Sequence, residues 1–454
     1  MEPHYALRAF RHSLYECFHR RKDALFELAD AILAADGGAS SLAHLSLEAS
    51  HRRGWGSLYA ALDRGRIDDE ALPKLLARYP LAGAQGEPSV YAVDTSVWAR
   101  CDAEASPERG YYYHPSRHSA GQPIVAGWAY QFVAQLNFVC ESWTAPVDVR
   151  RVLPAQDANV VASEQIEALL ARPEVGGEAD VPLFVFDAGY DPVKVQQGLE
   201  GFPCQILLRL RAGRRFYGDP SLCDPPEHVG RPRRHGPKMK CSDPWTWPEP
   251  SAEHVCEDPG HGTVRVRAFS ELHPKVHNHE RKGTREPLPI VVGTLILVEV
   301  ERLPRGERRR EPRVLWLWWH GPEGTAPELD LIWRAYVRRF DLEHTLRFLK
   351  QNMGWTTPRV RYPEQADRWT WLVVAAFTQL RLARASVADL RLPWERRYEP
   401  SRLTPTRVHR TVSALLVHLG TPAEAPKPCG RSPGRPKGTL SGRAERHPAL
   451  KKSA

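Results

Sequence analysis

Apolar residues near the start of the chain recur at helical spacing. The segment 24–35, ALFELADAILAA, predicts a helix, and the segment 42–65 predicts two short helices joined near Gly54 and Gly56. Such a helix pair fits a helix-turn-helix DNA reader, and it fits a small helical bundle equally well. Both interpretations predict a helical domain over residues 1–87.

Further along the chain, residues 88–212 show short apolar runs of strand character, in the order strand, two strands, helix, strand, helix, strand. The predicted elements are the strand SVYAVDTSVW from Ser89, two strands within 123–143, a helix over 163–172 capped by Ser163, and strands over 181–191 and 204–212. Strands that alternate with helices in this way predict an α/β fold in which helical crossovers flank a mixed sheet.

The remaining chain divides by composition into three parts. Residues 213–324 hold most of the Pro, Gly and His together with short strand patterns, which predicts a β-rich insertion. Helices resume over 326–352 and 364–385, so we assign 325–400 to a second part of the α/β core. Residues 401–454 form a C-terminal extension whose Pro-, Gly- and Lys/Arg-rich tail predicts disorder.

The composition is that of a globular protein and predicts no membrane partner. There is no run of about 18 apolar residues that could span a bilayer, and the first residues lack the apolar core of a signal peptide. The eight cysteines form no C-x-x-C pair, which favours reduced thiols in a cytoplasmic protein. A zinc site built from Cys223, Cys241, Cys256 and nearby histidines is the alternative, although the spacing is irregular.

Positive charge is concentrated in two segments. Residues 209–240 contain nine Lys or Arg against three Asp or Glu, and residues 426–454 contain eight against one. The whole chain has a net charge of +9, so the rest of it is net negative. This distribution favours a polyanionic partner, and two solvated loops are the alternative.

The helix predicted over 326–352 carries a carboxylate on its apolar side. At about 100° per residue, Glu343 falls on the stripe that also contains the large apolar residues. The same side carries Tyr336, Arg339, Arg347 and Lys350. An unpaired buried carboxylate is costly, so a buried ion pair between Glu343 and Arg339 is one interpretation.

Two further carboxylates follow predicted strands. Asp94 follows the apolar run VYAV, and Asp187 follows PLFVF. Open α/β sheets bind ligands at the carboxyl ends of their strands, while a turn or a helix cap is the structural alternative. Together with Glu343, the two aspartates supply hard oxygen ligands of the kind that bind Mg²⁺ or Mn²⁺.

These residues resemble a known family. The predicted helix contains, in order, Tyr336, Arg339, Glu343 and Lys350. Their spacing, Y-(2)-R-(3)-E-(6)-K, is similar to the Y-R-E-K signature of DDE-type insertion-sequence transposases. The motifs VDTSVW around Asp94 and FDAGYD around Asp187 extend the resemblance over about residues 88–390, including a β-rich insertion before the Glu.

The resemblance implies an RNase H-like mixed sheet with flanking helices, interrupted by the insertion domain. It implies that Asp94, Asp187 and Glu343 are the catalytic triad and hold Mg²⁺ or Mn²⁺, with two ions per site. The reaction implied is cleavage of double-stranded DNA at the terminal inverted repeats of a transposon, followed by strand transfer into target DNA. A homodimer that pairs two ends, a nucleoid-associated location and a DNA-end-binding role for residues 1–87 are expected with it.

The basic residues are assigned to DNA contacts. Beside the triad, the predicted contacts are Tyr336, Arg339, Arg347 and Lys350. Gly-Arg-Pro tripeptides, similar to short elements that enter the minor groove, add Arg231, Arg233, Arg435 and Lys437. Candidates for stacking on a base are Trp245, Trp247, Trp316, Trp318 and Trp319, although RVLWLWWH has the pattern of a strand whose aromatic residues pack.

Two other functions are alternatives to transposition. An RNase H-like nuclease without strand transfer predicts the same triad but does not explain the Y-R-E-K face. A catalytically silent DNA-binding protein derived from a transposase would be signalled by loss of an acidic residue, and Asp94, Asp187 and Glu343 are all present.

Overall fold

The structure is a computed structural model. It describes residues 4–35, 41–81, 88–114, 123–138, 143–173, 175, 181–223, 232–276, 289–303, 314–428, 434, 436–439 and 442–451. The helices are α1 (Tyr5–Glu16), α2 (Lys22–Ala34), α3 (Leu42–Leu45), α4 (Gly56–Arg64), α5 (Ala71–Ala77), α6 (Ala158–Leu170), α7 (Pro192–Gly198), α8 (Leu329–Arg338), α9 (Phe340–Gln351), α10 (Pro363–Ala383) and α11 (Pro405–Leu419). The strands are β1 (Phe18–Arg20), β2 (Arg66–Ile67), β3 (Val90–Ala99), β4 (Gly110–Tyr113), β5 (Ile124–Gln135), β6 (Ala145–Val152), β7 (Leu183–Phe186), β8 (Gln205–Leu210), β9 (Arg215–Tyr217), β10 (Lys238–Lys240), β11 (Ala252–Asp258), β12 (Gly262–Pro274), β13 (Gly293–Val300) and β14 (Val314–His320).

The chain folds into two compact units. Unit 1 comprises Met1–Ala82, Asp94–Asp157 and Asp341–Ala454, and unit 2 comprises Gly83–Val93 and Ala158–Phe340. The predicted mixed α/β class is confirmed. The five predicted segments and the RNase H-like topology stay predictions. No helix in the described part of the chain has the length and apolar character needed to cross a bilayer.

In unit 1 the N-terminal helices share a core with α10 and α11, because α1, α2 and α4 all pack on α10. A buried guanidinium links three of these helices. Arg11 of α1 donates to Asp30 of α2 (2.6 Å) and to Gln379 of α10 (2.8 Å). A charge inside a core must be paired and hydrogen-bonded, and Arg11 meets both conditions. The N-terminal helices therefore pack around the long helix that follows the predicted catalytic helix.

The sheet of unit 1 differs from the prediction for residues 123–143. One antiparallel strand, β5, replaces the two predicted strands, and it pairs with β4 and β6. Nearly every residue of β5 is buried, so the sequence shows no alternation of polar and apolar residues that would locate the ends of the strand. Strand β6 was not predicted. The helix predicted from Ser163 begins earlier, and the Ser163 hydroxyl donates to the Asn159 carbonyl (3.2 Å) instead of capping.

Aromatic side chains join β3 and β5 of unit 1 to the segment that follows α9. The Trp355 ring lies 6.5 Å from that of Trp98, 5.8 Å from that of Tyr130 and 5.0 Å from that of Phe132. Edge-to-face pairs of this kind contribute about 0.5–1.5 kcal/mol each beyond the area they bury. The Trp355 amide also donates to the Leu349 carbonyl (2.8 Å), so the end of α9 is tied to this aromatic cluster.

The sheet of unit 2 is mixed. The start of β3 runs parallel to β7, and β7 runs parallel to β8. Beyond β8 the strands β14, β13 and β12 follow in antiparallel order, with β11 on the outer side of β12. The strands of the predicted insertion therefore continue the sheet that β7 and β8 belong to, because β14 pairs directly with β8.

The long helix predicted over 326–352 is two helices. α8 ends at Arg338 and α9 begins at Phe340, with Arg339 between them. The Arg339 amide still donates to the Ala335 carbonyl (3.0 Å), and neither Gly nor Pro occurs at the break. Local sequence therefore contains no signal for this break.

Near the end of the C-terminal tail, whose composition predicts disorder, residues 447–450 lie along the chain before β4. The His447 amide donates to the Glu104 carbonyl (2.8 Å), and the Leu450 amide donates to the Arg109 carbonyl (2.7 Å). These backbone hydrogen bonds add a short extended segment beside the edge of β4. Composition does not predict such bonds, because the backbone amide and carbonyl groups form them almost independently of side-chain identity.

Candidate functional site

The two predicted aspartates follow a pair of buried parallel strands. Val93 of β3 is the register partner of Phe186 of β7, and both strands are buried up to these residues. Asp94 and Asp187 are the next residues in the chain, and each is partly exposed. Asp94 belongs to unit 1 and Asp187 to unit 2. Each carboxylate thus follows the last apolar residue of a buried strand segment.

In unit 2, Asp187 occupies a tight turn. Its Oδ1 accepts a hydrogen bond from the Gly189 amide (2.8 Å). A Cβ atom on residue 189 would lie 3.0 Å from that same oxygen, which is closer than ordinary van der Waals contact. The glycine therefore keeps the surroundings of the Asp187 carboxylate open.

A basic cavity of about 390 Å³ begins next to Asp187. It is lined by Asn159, Ala188, Gly189, Tyr190, Asp191, Arg209, Leu210, Arg211 and Arg214. Arg209 and Arg211 are exposed, whereas Arg214 lies 3.9 Å from the Asp191 carboxylate. Exposed guanidinium groups beside a carboxylate can bind phosphate oxygens in bidentate fashion.

These arginines were not singled out in the sequence. They belong to the basic segment 209–240, whose DNA contacts were predicted only around the Gly-Arg-Pro tripeptide at its other end. Their position at the carboxyl end of β8, which runs parallel to β7, could have identified them as residues of the site. Because the carboxyl ends of parallel strands meet at one edge of the sheet, Arg209 and Arg211 come close to the turn that contains Asp187.

In unit 1, the Asp94 carboxylate acts electrostatically on Lys350. One carboxylate oxygen of Asp94 accepts from the Thr95 amide (2.8 Å). Burial lowers the pKa of Lys350 below its usual range, and the Asp94 carboxylate acts in the opposite direction. The Lys350 Nζ atom is 5.6 Å from the centre of the Trp355 ring. The ammonium group thus lies near an aromatic ring and within the electrostatic reach of Asp94.

Glu343 lies in the first turn of α9 and is partly exposed. Glu343 and Lys350 are about two turns apart and lie on the same face of the helix. Two contacts of the helix keep that face in position within unit 1. The hydroxyls of Thr345 and Thr144 share a buried hydrogen bond (2.9 Å), and the Phe348 ring lies 5.9 Å from that of Phe377.

Tyr336 and Arg339 form a cation–π pair in unit 2. The Arg339 guanidinium carbon is 5.8 Å from the centre of the Tyr336 ring, and Arg339 is 7% exposed. A desolvated pair of this kind contributes about 2 kcal/mol. The Arg339 guanidinium, which was predicted to contact phosphate, is therefore largely buried and lies near an aromatic ring.

The other predicted DNA contacts are distributed over the surface. Arg347, Arg233 and Lys437 are exposed. Arg231 and Arg435 lie outside the described residues. The predicted packing of the aromatic strand is confirmed, since the buried tryptophans of β14 are Trp316, Trp318 and Trp319. Trp247 is partly buried, whereas Trp245 is 97% exposed.

Comparison with known proteins gives one family match. A family model described as a DDE superfamily endonuclease matches residues 13–269, which is more than half of the chain. The matched stretch contains Asp94 and Asp187, and Glu343 lies beyond it. The search of curated proteins found no match.

Proposed function

The chain belongs to the DDE superfamily endonuclease family, and we propose that it is a transposase that cuts DNA at transposon ends and joins the freed ends to target DNA. The family implies a nuclease that acts on DNA with divalent metal ions. The observation that carries the finer proposal is that the Asp94 carboxylate acts electrostatically on Lys350, which shares one face of α9 with Glu343. Helix α9, which carries Glu343 and Lys350, thereby comes near the strand of the first aspartate within unit 1.

We assign the metal ligands to Asp94, Asp187 and Glu343. Their carboxylate oxygens are hard ligands, and the partial exposure of all three leaves them accessible to a hydrated ion, as Mg²⁺ or Mn²⁺ requires. Two such ions, when bound, would activate a water molecule or a DNA 3′-hydroxyl and stabilise the leaving oxygen. No covalent bond between protein and DNA is needed for either reaction.

The basic residues bind and orient the scissile strand. Lys350 has lost part of its hydration, so its ammonium group attracts a phosphate oxygen more strongly than an exposed lysine would. Arg347 is exposed one turn from Glu343 and contacts the neighbouring phosphate. Tyr336 and Arg339 contact the same strand as a pre-oriented pair.

The partners follow from this reaction. The substrates are the terminal inverted repeats of an insertion sequence and the target DNA, and cut-and-paste transposition by a homodimer pairs the two ends. Residues 1–87 recognise the ends, while Arg233 and Lys437 add salt-sensitive phosphate contacts. Protein bound to chromosomal DNA in this way is expected at the nucleoid in the cytoplasm.

Strand transfer separates the proposed function from the alternatives. Purified protein is mixed with Mg²⁺, a supercoiled target plasmid and a pre-cut DNA end taken from the sequence that flanks the gene. We expect joined products that form only when the DNA end has a 3′-hydroxyl. Cleavage of uncut ends without joining would favour a nuclease, and tight binding with neither reaction would favour a catalytically silent DNA-binding protein.

The cavity beside Asp187 makes a separate prediction. Replacing Arg209 and Arg211 together by Ala should weaken end binding and lower the slope of log affinity against log salt concentration by about two, because each lost phosphate contact releases one counterion fewer. Affinity is measured between low and moderate salt by fluorescence anisotropy. Arg265→Ala, on β12 and paired with Glu253 at 3.3 Å, is the control and should leave the slope unchanged. An unchanged slope in the double variant would show that Arg209 and Arg211 do not contact the phosphates of bound DNA.

A further inference from the structure

Metal-binding side chains also meet away from the proposed active site, within unit 2. His254 and Cys256 are two residues apart on β11, and Asp330 lies in the first turn of α8. The ligand atoms of these three residues all lie within 4.8 Å of one another. Alternate residues of a strand share one face, so β11 presents the imidazole and the thiol on the same side. Helix α8 packs against this strand and contributes the carboxylate.

His254 carries an unsatisfied nitrogen at the centre of this group. Its Nε2 atom is buried and has no hydrogen-bond partner among the described residues. The Asp330 Oδ1 atom is 3.5 Å away, beyond a good hydrogen bond. Buried polar nitrogens are rarely left without a partner, because their lost hydration costs about 1–3 kcal/mol. A cation between Nε2 and the carboxylate would satisfy this nitrogen.

The carboxylate of Asp330 is held in place by its own helix. The Trp333 indole donates to Oδ1 (3.1 Å), and the Arg334 Nε atom is 2.9 Å from Oδ2. Outer contacts of this kind fix the orientation of a metal ligand and are typical of built metal sites. Cys256 and His254 are partly exposed, so an ion can reach the group from solvent.

We propose that His254, Cys256 and Asp330 bind one Zn²⁺ ion that links β11 to α8. A thiolate and an imidazole select zinc over magnesium, and three protein ligands leave the fourth tetrahedral position for water. Cys223 and Cys241, which the spacing had grouped with Cys256, are not part of this group among the described residues. The site is separate from the proposed active site, whose ligands are carboxylates only.

The environment of the thiol sets a condition on binding. Burial and the neighbouring carboxylates of Asp330 and Asp258 raise the pKa of Cys256. The thiol is therefore protonated in the metal-free protein, and the bound ion displaces its proton. Because the ion binds only the folded arrangement of β11 and α8, zinc should raise the melting temperature of the protein.

Cobalt provides the test because Co²⁺ takes zinc sites and reports sulfur ligation by a near-ultraviolet charge-transfer band. Full-length metal-free protein is titrated with Co²⁺, and Zn²⁺ is then added in competition. We expect one equivalent of Co²⁺ to produce the band and Zn²⁺ to remove it. Cys256→Ser should abolish the band, and His254→Gln should weaken Zn²⁺ affinity by more than about 100-fold, the upper end of the loss when only an outer contact is removed.

Matched variants keep the result interpretable. Cys223→Ser removes another partly exposed thiol of unit 2 and should leave the band and the melting temperature of the zinc-loaded protein unchanged. Far-ultraviolet circular dichroism confirms that each variant is folded. A wild-type titration without a thiolate band, or a band that survives Cys256→Ser, would overturn the proposal. The ligands of the proposed active site contain no sulfur, so this outcome does not depend on whether strand transfer is observed.

Discussion

Replacing Glu343 by Gln should lower DNA cleavage and strand transfer by about 1,000-fold, the upper end of the cost of losing one electrostatic stabiliser of the transition state. The change removes a negative charge and keeps the size of the side chain. Since Glu343 is partly exposed in the first turn of α9, the helix should remain folded. We therefore expect the affinity for transposon-end DNA to be retained while the chemistry is lost.

The measurement is excision from a plasmid that carries the natural DNA flanking the gene, with Mg²⁺ present. Glu364→Gln is the matched control, because Glu364 is an exposed glutamate in the first turn of α10 in the same unit. It should excise like the wild type. Asp94→Asn and Asp187→Asn should behave like Glu343→Gln if the three carboxylates act in one site.

Two outcomes would contradict the assignment. Equal excision by the wild type and Glu343→Gln would exclude Glu343 as a metal ligand and favour the structural ion pair with Arg339. Tight binding of the ends by both proteins with no excision by either would favour a DNA-binding protein without catalysis.

Replacing Lys350 by Met should lower cleavage by about 100-fold, because a desolvated ammonium group beside the scissile phosphate is lost. The same change should not destabilise the protein at neutral pH. Burial lowers the pKa of Lys350, which means that the fold disfavours its charged form. Removing that charge also removes an unfavourable contribution to folding. Loss of activity without loss of stability distinguishes a functional lysine from a structural one.

The pH dependence has a definite sign. The pKa of Lys350 is lower in the folded than in the unfolded chain, so the unfolded chain binds more protons between the two values. The wild type should therefore gain stability as the pH rises through the folded pKa towards the unfolded one, and Lys350→Met should lack this gain. Urea unfolding of both proteins across alkaline pH measures the difference.

Lys194→Met provides the control for this second prediction. Lys194 is an exposed lysine on α7, so its replacement should alter neither cleavage nor the pH dependence of stability. If Lys350→Met cleaves like the wild type, its ammonium group does not contact the scissile strand. A parallel loss of stability and activity would instead assign Lys350 to packing against Trp355.

The candidate site was predictable to the extent that it is local. The apolar runs before Asp94 and Asp187 predicted two buried strands, and both strands are present as a parallel pair at Val93 and Phe186. The helical stripe predicted that Glu343 and Lys350 share a face, which follows from helix geometry alone. The prediction that RVLWLWWH packs as a strand is confirmed by β14.

Features that depend on distant residues were not predictable. The influence of Asp94 on Lys350 was implied only by the family resemblance, and the meeting of Asp330 with β11 joins residues far apart in the chain. The basic cavity beside Asp187 depends on the parallel register of β7 and β8. The docking of Leu450 is made by a backbone hydrogen bond that no side-chain pattern predicts. The break at Arg339 likewise has no signal in the local sequence.

The residue pattern predicts which segments are apolar on one face or on both. The α/β class, the strand-end aspartates and the shared face of Glu343 and Lys350 follow from it. Which of these faces meet is set by tertiary packing. The reason is physical: periodicity records that a surface is buried, because burial of apolar area is non-directional. The partner of that surface is selected by strand register and by the packing of side chains from distant parts of the chain.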